Sequence, residues 1–325
     1  MYFVCLCGFG RAGLIHYKNI MNNPDMNLKY ILDLRQSLPS IQKKVDKNII
    51  VTDDIVSVLN DDKIKIIIIS TPTNTHYSVI IQSLKKNKHI LCEKPISHIE
   101  KEVLECYRFA ESNGLVLLCA FNRRFDPQIK NLKKNIKNIG RINQILTISR
   151  DYPYPLFNYL KISSGIFHDC AVHDIDFVNW ILDDRPVSVY VIGNIVTRYE
   201  KNAGNLDNAI IIMEYPSGVI ANLNLSRISS NYDQRIEIYG EKGELILENP
   251  YGNISLFKGK PISFPERYEI SYKNEIMHLI NVIKKKEDLL IQKEDCLTVM
   301  RIVNACELSF QRKERIIVNY KPKKV

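Results

Sequence analysis

Tyr2-Phe3-Val4-Cys5-Leu6-Cys7-Gly8-Phe9-Gly10-Arg11-Ala12-Gly13 is the stretch that decides the fold. An apolar run reads as a β-strand, a G-x-G-x-x-G pattern follows at once, and a helix runs on to about Met21. Alone, the glycine pattern is weak; directly after a strand and opening a helix, it is the signature of a dinucleotide-binding turn. Gly8 permits the tight turn, Gly10 lets the backbone approach a pyrophosphate, and Gly13 lets helix and strand pack closely. Phe9, Arg11 and Ala12 complete the loop, and the helix start offers N–H groups and a positive dipole end to phosphates. The competing reading is that the glycines are turns and nothing more. Against it stands Asp33, twenty residues after Gly13 at the end of the next strand. A carboxylate there accepts hydrogen bonds from the adenosine ribose hydroxyls and repels a 2′-phosphate, which predicts NAD in preference to NADP. Leu34 flanks it, and Arg35, two residues on, softens that preference.

Outward from this turn, residues 1–124 alternate short strands with helices. Asn27 to Leu32, the isoleucine-rich Lys65 to Ser70, His89 to Cys92 and Leu115 to Ala120 read as strands. His76 to Lys86 and Glu100 to Ser112 read as helices, the latter stopped by Gly114. A run of isoleucine suits a strand covered on both faces in a parallel sheet. The alternation predicts a doubly wound α/β domain. After Phe125 the pattern changes. Strands at Gln144–Ser149, Val187–Ile192, Ala209–Tyr215, Gly218–Leu225, Arg235–Tyr239 and Glu244–Leu247 are joined in part by tight turns such as Tyr215-Pro216-Ser217-Gly218. Hairpin-linked strands predict an antiparallel sheet, hence a second α+β domain over 125–325. Helices are expected over about 165–182, 274–285 and 294–311, the last packing back on the first domain.

Two further segments fall at the carboxyl ends of the parallel strands, where open α/β sheets bind ligands. In Ser70-Thr71-Pro72-Thr73-Asn74-Thr75-His76, Thr71 and Asn74 are candidate contacts to the nicotinamide half, with Ser70, Pro72 and His76 beside them. Thr75 reads equally well as the cap of the following helix. Glu93-Lys94-Pro95 follows the strand at 89–92. In the second domain, Gly165 to Asp176 opens a helix on which Asp169 and His173 are i and i+4, with Asp176 at i+7, near one face. A lysine in an apolar cleft beside a cationic nicotinamide has its pKa lowered and can exchange a proton with a substrate hydroxyl. His173 suits the same shuttle, and Asp169 can orient it or grip a hydroxyl. The plainer readings are a solvated lysine, a helix-surface Asp–His pair, or two metal ligands. For metal, no third and fourth ligand of matching spacing accompanies them, so none is expected.

The composition excludes several classes. The chain has 325 residues, 45% hydrophobic and 25% charged, as in an ordinary folded protein. Its longest apolar run is seven residues, against the roughly 20 a transmembrane helix needs. Without a basic n-region or a small-residue cleavage site, no secretory signal is read. Eight cysteines lie in apolar segments with no C-x-x-C pair, which predicts reduced, buried thiols in a cytoplasmic protein. The 45 basic and 36 acidic residues leave a charge of +9. The bases are dispersed, as at Lys85-Lys86, Lys284-Lys285-Lys286 and Lys321/Lys323/Lys324, so no nucleic-acid stripe is read.

These motifs resemble, in order and spacing, those of the glucose–fructose oxidoreductase/inositol dehydrogenase (Gfo/Idh/MocA) family. The matching segments are Gly8 to Gly13, Ser70 to His76, Cys92-Glu93-Lys94-Pro95, Ala120 to Pro127, Ser149-Arg150-Asp151, Gly165 to Asp176 and Tyr232-Asp233-Gln234-Arg235. The later blocks look most like myo-inositol 2-dehydrogenases. The resemblance implies a Rossmann domain followed by a domain with a large open sheet, commonly used to form dimers or tetramers. It places the family's catalytic lysine on Lys94 and its aspartate–histidine pair on Asp169 and His173. It implies Glu93 and Arg124 at the cofactor edge, and Asn122, Arg150 and Tyr232 on the substrate side. The bond before Pro95 is often cis in that family. The implied reaction is NAD-dependent oxidation of a cyclic polyol, myo-inositol first, with a sugar or scyllo-inositol as the runner-up. A non-catalytic cofactor-binding regulator is the other class, and the joint presence of Lys94, Asp169 and His173 speaks against it. The chain departs from the family pattern at Ser164, His168 and Ser230.

Overall fold

The computed structural model describes residues 1–198, 203–249 and 263–320. The chain divides into two compact units, Met1–Asn122 with Glu269–Leu297, and Arg123–Tyr268 with Thr298–Val325. Of the basic clusters, Lys321, Lys323 and Lys324 lie outside the described residues. The first division falls close to the expected boundary at 124/125. The segment 269–297 groups with the first unit although it follows the second in sequence, because its helix Glu269–Ile283 packs on the helix Arg11–Met21.

The first unit holds a six-stranded parallel sheet of order β3-β2-β1-β4-β5-β6. Its strands are β1 (Tyr2–Cys7), β2 (Met26–Leu32), β3 (Ile50–Thr52), β4 (Ile64–Ile69), β5 (His89–Glu93) and β6 (Leu117–Ala120). Ile66 to Ile69 are fully buried, as a strand covered on both faces requires. Cys7 at the end of β1 pairs with Leu32 on one side and Ile69 on the other. The strand order reverses between β1 and β4, which opens a crevice at their carboxyl ends. Helices Arg11–Met21, Thr73–Lys85 and Glu100–Ser112 follow β1, β4 and β5. β3 and the helix Ile55–Asn60 are additions to the sequence reading. A strand of three residues shows no periodicity. The helix is fixed instead by its cap, Asp54, whose carboxylate accepts from the N–H groups of Val56 and Ser57.

The second unit is built on a seven-stranded sheet of order β12-β11-β7-β10-β9-β8-β13. The strands are β7 (Ile142–Arg150), β8 (Ser188–Asn194), β9 (Asn208–Glu214), β10 (Ile220–Ser226), β11 (Asp233–Gly240), β12 (Gly243–Leu247) and β13 (Ile316–Ile317). It is antiparallel except for β7 beside β10, which run parallel in register Ile145↔Ala221 and Ser149↔Leu225. One face is the core, lined by Ala209, Ile211 and Met213 of β9 and Ala221, Leu223 and Leu225 of β10. The helix Val172–Leu182 packs on β7. It is preceded by a π-helical turn, Phe167–Ala171, where the sequence predicts a continuous α-helix. Single π turns occur frequently at functional sites.

Candidate active site

The glycine turn after β1 is fixed by three distinct constraints. Gly8 has φ +90°, and a Cβ there would lie 2.7 Å from the Ser70 carbonyl oxygen. A Cβ on Gly13 would lie 2.2 Å from the Gly8 carbonyl oxygen, so helix and turn meet with no room for a side chain. At Gly10 a Cβ would meet nothing within 4 Å. The backbone at Gly10 is thus open to approach beside the first-turn N–H groups, the arrangement a pyrophosphate needs. The residues fit the dinucleotide that the sequence predicts. Arg11 is exposed at the helix start, and Ala12 is half-buried behind it.

Asp33 follows β2 and anchors the same turn. Its Oδ2 accepts from Phe9 N–H at 2.7 Å and its Oδ1 from Leu34 N–H at 2.7 Å. Leu34 and Arg35 are exposed. Ser70 ties β4 to the turn, donating from Oγ to the Cys7 and Gly8 carbonyls at 3.0 Å each. In the next residues Thr71 and Thr75 share a hydroxyl contact of 2.7 Å, and Thr75 also donates to the Pro72 carbonyl. Thr75 therefore sits in the first turn of the helix Thr73–Lys85, and Asn74 and Pro72 are exposed.

His76 is placed differently from the expected cofactor contact. Its ring is buried, with Nδ1 2.8 Å from the Pro95 carbonyl and Nε2 2.8 Å from the Thr71 carbonyl. It joins the β4 loop to the Glu93-Lys94-Pro95 segment from behind. Burial lowers its pKa, with the two carbonyls acting the other way. The Lys94–Pro95 peptide is cis. Lys94 is half-buried, and Glu93 accepts from His16 Nε2 at 2.8 Å. Behind this pair lies Glu275, fully buried, whose two carboxyl oxygens have no hydrogen-bond partner among the described residues. Burial, reinforced by the charge of Glu93, pushes the Glu275 carboxyl well above the carboxylate range. Asn122 is buried too, its carbonyl accepting from Ser271 Oγ.

In the second unit the π turn changes which acidic residues share a face. Asp169 lies within it, and His173 stands in the first turn of the α-helix that follows, half-buried. Asp176, expected beside them, is instead buried against Arg124, which donates from Nη2 to its Oδ1 at 2.7 Å and from Nε to its Oδ2 at 2.9 Å. The extra residue per turn in a π segment shifts the phase of everything beyond it. This pair also accounts for Arg124, which the sequence reading sets at the cofactor edge: its guanidinium is buried in an ion pair, over the Trp180 ring. Asp174 accepts from Ser149 Oγ at 2.8 Å and faces Arg123 at 3.0 Å.

Arg150 closes β7, donating from Nη1 to the Asn224 carbonyl at 2.9 Å, and burial lowers its pKa. Tyr232 is 5% exposed, its ring edge-on to Tyr268 with centroids 6.3 Å apart, and burial pushes its hydroxyl well up. Two residues absent from the sequence reading hold Asp169. Arg227 Nη2 donates to Oδ2 at 2.8 Å, and Tyr159 Oη donates to Oδ1 at 2.7 Å. Arg227 carries a signal in the sequence. It continues the inward phase Ala221, Leu223, Leu225, so a period-2 reading extended by one step puts a charge in the core.

Among the described residues, no group of three or more His, Cys, Asp or Glu could hold a metal ion, and no helix is long and apolar enough to cross a membrane. All eight cysteines are free, seven of them buried and Cys170 half-buried. Burial pushes the Cys170 thiol up to about 11.

Comparison with known proteins gives the family. Residues 3–121 match the family described as oxidoreductase family, NAD-binding Rossmann fold, and residues 132–246 match the GFO/IDH/MocA C-terminal domain. The chain is 31% identical to an inositol 2-dehydrogenase of Rhizobium meliloti over 325 residues, covering 96% of this chain and 98% of that one. It is 29% identical to a myo-inositol 2-dehydrogenase of Thermotoga maritima, covering 95% and 96%. Among solved structures it resembles a myo-inositol dehydrogenase from Corynebacterium glutamicum with a TM-score of 0.86 at 29% identity, covering 99% of this chain and all of that one. With the glycine turn, the carboxylate after β2 and both family domains in place, the chain belongs to the Gfo/Idh/MocA family of NAD-binding oxidoreductases.

Proposed function

We propose that the protein oxidises a secondary hydroxyl of a cyclic polyol, with myo-inositol as the substrate and 2-keto-myo-inositol as the product. The observation that carries this reading is the joint presence of Lys94, just after β5 of the sheet that carries a turn fit for NAD, and of Asp169 and His173 across a π-to-α junction. The inositol dehydrogenases to which the chain is similar give the substrate class. Gly8, Gly10, Gly13 and Asp33 would hold NAD, which would supply the hydride acceptor. Lys94 and His173 take the hydroxyl proton, one as the direct base and the other as its relay, and Asp169 orients the group that accepts it. The carbon loses a hydride and the oxygen a proton, leaving a ketone.

The test is NADH formation followed at 340 nm with myo-inositol, scyllo-inositol and a panel of sugars. Turnover with myo-inositol that collapses in Lys94→Ala, while NAD still binds, is the expected result. Tight NAD binding with no turnover on any polyol or sugar would replace the enzyme by a cofactor-binding regulator. The protein is read as a cytoplasmic homo-oligomer, a dimer or tetramer. Its free cysteines suit a reducing compartment. The outer face of the second sheet exposes Tyr190, Ile192 and Ile210, with Ile192 opposite Ile210 across β8 and β9, apolar side chains that suit a second copy. Light scattering of the wild type against Ile210→Asp tests the assembly.

A further inference from the structure

Asp169 is gripped at both oxygens by residues from two other parts of the second unit. Tyr159, on the short helix Phe157–Leu160, donates to Oδ1 at 2.7 Å. Arg227, just past β10, donates from Nη2 to Oδ2 at 2.8 Å. Arg227 is in turn fixed along its length. Its backbone N–H donates to the Asp207 carbonyl at 2.8 Å, its Nε to Cys170 Sγ at 3.3 Å, and its Nη2 also to the Gly165 carbonyl at 3.2 Å. The side chain is 1% exposed, and its Nη1 is buried with no hydrogen-bond partner among the described residues. Taking a guanidinium out of water costs several kcal/mol, and an apolar residue of similar size would fill this space without that cost. What an arginine adds is direction. A planar donor fork sets the plane of a carboxylate, and a second donor on the other oxygen stops it rotating. The Asp169 side chain keeps 15% of its surface exposed, so the held carboxylate still presents an accessible edge.

We propose that Arg227 and Tyr159 form a two-point clamp that sets the orientation of the Asp169 carboxylate, making Arg227 a positioning residue for polyol oxidation. The inference rests on the role of Asp169 in the function proposed above. A carboxylate locked at both oxygens cannot swing to follow the hydroxyl. It offers one fixed acceptor direction, which aligns the reacting C–H before the hydride leaves. The π turn supports the same arrangement, because it displaces Asp169 from the regular helical track on which Asp174 and Asp176 point into the core.

The experiment compares wild type, Asp169→Asn, Arg227→Met, Arg227→Lys and Tyr159→Phe with myo-inositol and with the same substrate deuterated at the oxidised carbon. Arg227→Met is expected to lower kcat about a hundredfold, the cost of a reacting group misplaced by about an ångström. KM for NAD should stay within about twofold, and the isotope effect on kcat should rise as hydride transfer becomes the slowest step. Arg227→Lys should recover part of the loss, and Tyr159→Phe should cost about five- to tenfold, one hydrogen bond's worth. A structural role alone would reduce the active fraction and leave the isotope effect unchanged, and that result overturns the clamp. Should Arg227→Met fail to fold, Tyr159→Phe and Arg227→Lys decide, and wild-type isotope effects in both overturn it. Wild-type turnover in Asp169→Asn would remove the role of Asp169 and the clamp together. A wild type that turns over no inositol sinks the functional reading itself.

Discussion

The buried ring of His76 meets the carbonyl of Pro95, the residue after Lys94, with Nδ1 at 2.8 Å. The same ring reaches the Thr71 carbonyl through Nε2 at 2.8 Å, so one imidazole joins the two loops at the carboxyl ends of β4 and β5. A neutral ring donates to one of these carbonyls. Burial lowers the pKa of His76 and of His89, so both favour the neutral form in the folded protein. The unfolded chain, with His near about 6.5, then binds more protons as the pH falls. The stability these two residues contribute is complete above that value and is lost as the pH drops through their lower folded pKa values. Thermal melts across pH 7.5 to 5 should show Tm falling on the acid side, and the fall should shrink in His76→Phe. An equal slope in the variant would assign the loss to other groups.

Glu275 carries the opposite sign. Its folded pKa is raised by burial first and by the charge of Glu93 second. Stability associated with the protonated acid is present below the unfolded value of about 4.3 and is lost as pH rises through the folded pKa. Glu275→Gln keeps the shape and removes the ionisation. It should raise Tm at pH 8 and change it little at pH 5. A destabilised variant at both pH values would show that the carboxyl has a partner that glutamine cannot replace.

For Asp33, substitution should separate its observed duty in the turn from the one proposed toward the cofactor. Its carboxylate accepts from the Phe9 and Leu34 N–H groups, so Asp33→Ala should cost about 1–2 kcal/mol in urea unfolding. It should also relax the preference for NAD over NADP, read as the ratio of kcat/KM values, by about tenfold or more. Equal rates with the two cofactors in the wild type would mean that Arg35 overrides the carboxylate.

Arg124 and Asp176 form a bidentate ion pair whose side chains are 3% and 1% exposed. Removing one partner takes a buried, bidentate counter-charge from the other, so Arg124→Met should cost about 3–5 kcal/mol of stability. The double variant Arg124→Met with Asp176→Leu should recover most of it, measured by a chemical-denaturation cycle. A single variant as stable as the wild type, with a raised KM for NAD, would return Arg124 to the cofactor edge.

The first unit was legible from the sequence because its signals are local. The Gly8–Gly13 turn, the isoleucines of β4 and the carboxylate after β2 each depend on neighbours in the chain, and the strands fell within a few residues of their predicted positions. β3 escaped because three residues display no period, and the helix at 55–60 because its signal is a single cap. In the second unit the hairpins were readable from their turns. The parallel pairing of β7 with β10 was not, since strands far apart in sequence leave no turn to mark them.

For the site, the sequence by itself determined which chemistry-bearing residue types the chain carries and at what spacing. A glycine turn fit for a dinucleotide, a lysine after β5, and an aspartate and histidine four residues apart are patterns of residue type and spacing. What the tertiary structure decided is which charges are left to act. His76, Arg124 and Tyr232, all named from sequence, are buried, with His76 and Arg124 held by Pro95 and Asp176 and Tyr232 packed on Tyr268. Arg227 and Tyr159, unnamed, converge on Asp169. The physical reason is that a charged group's role depends on its nearest opposite charge and on its distance from water. Both are set by segments tens of residues away and by one π turn that no local spacing announced.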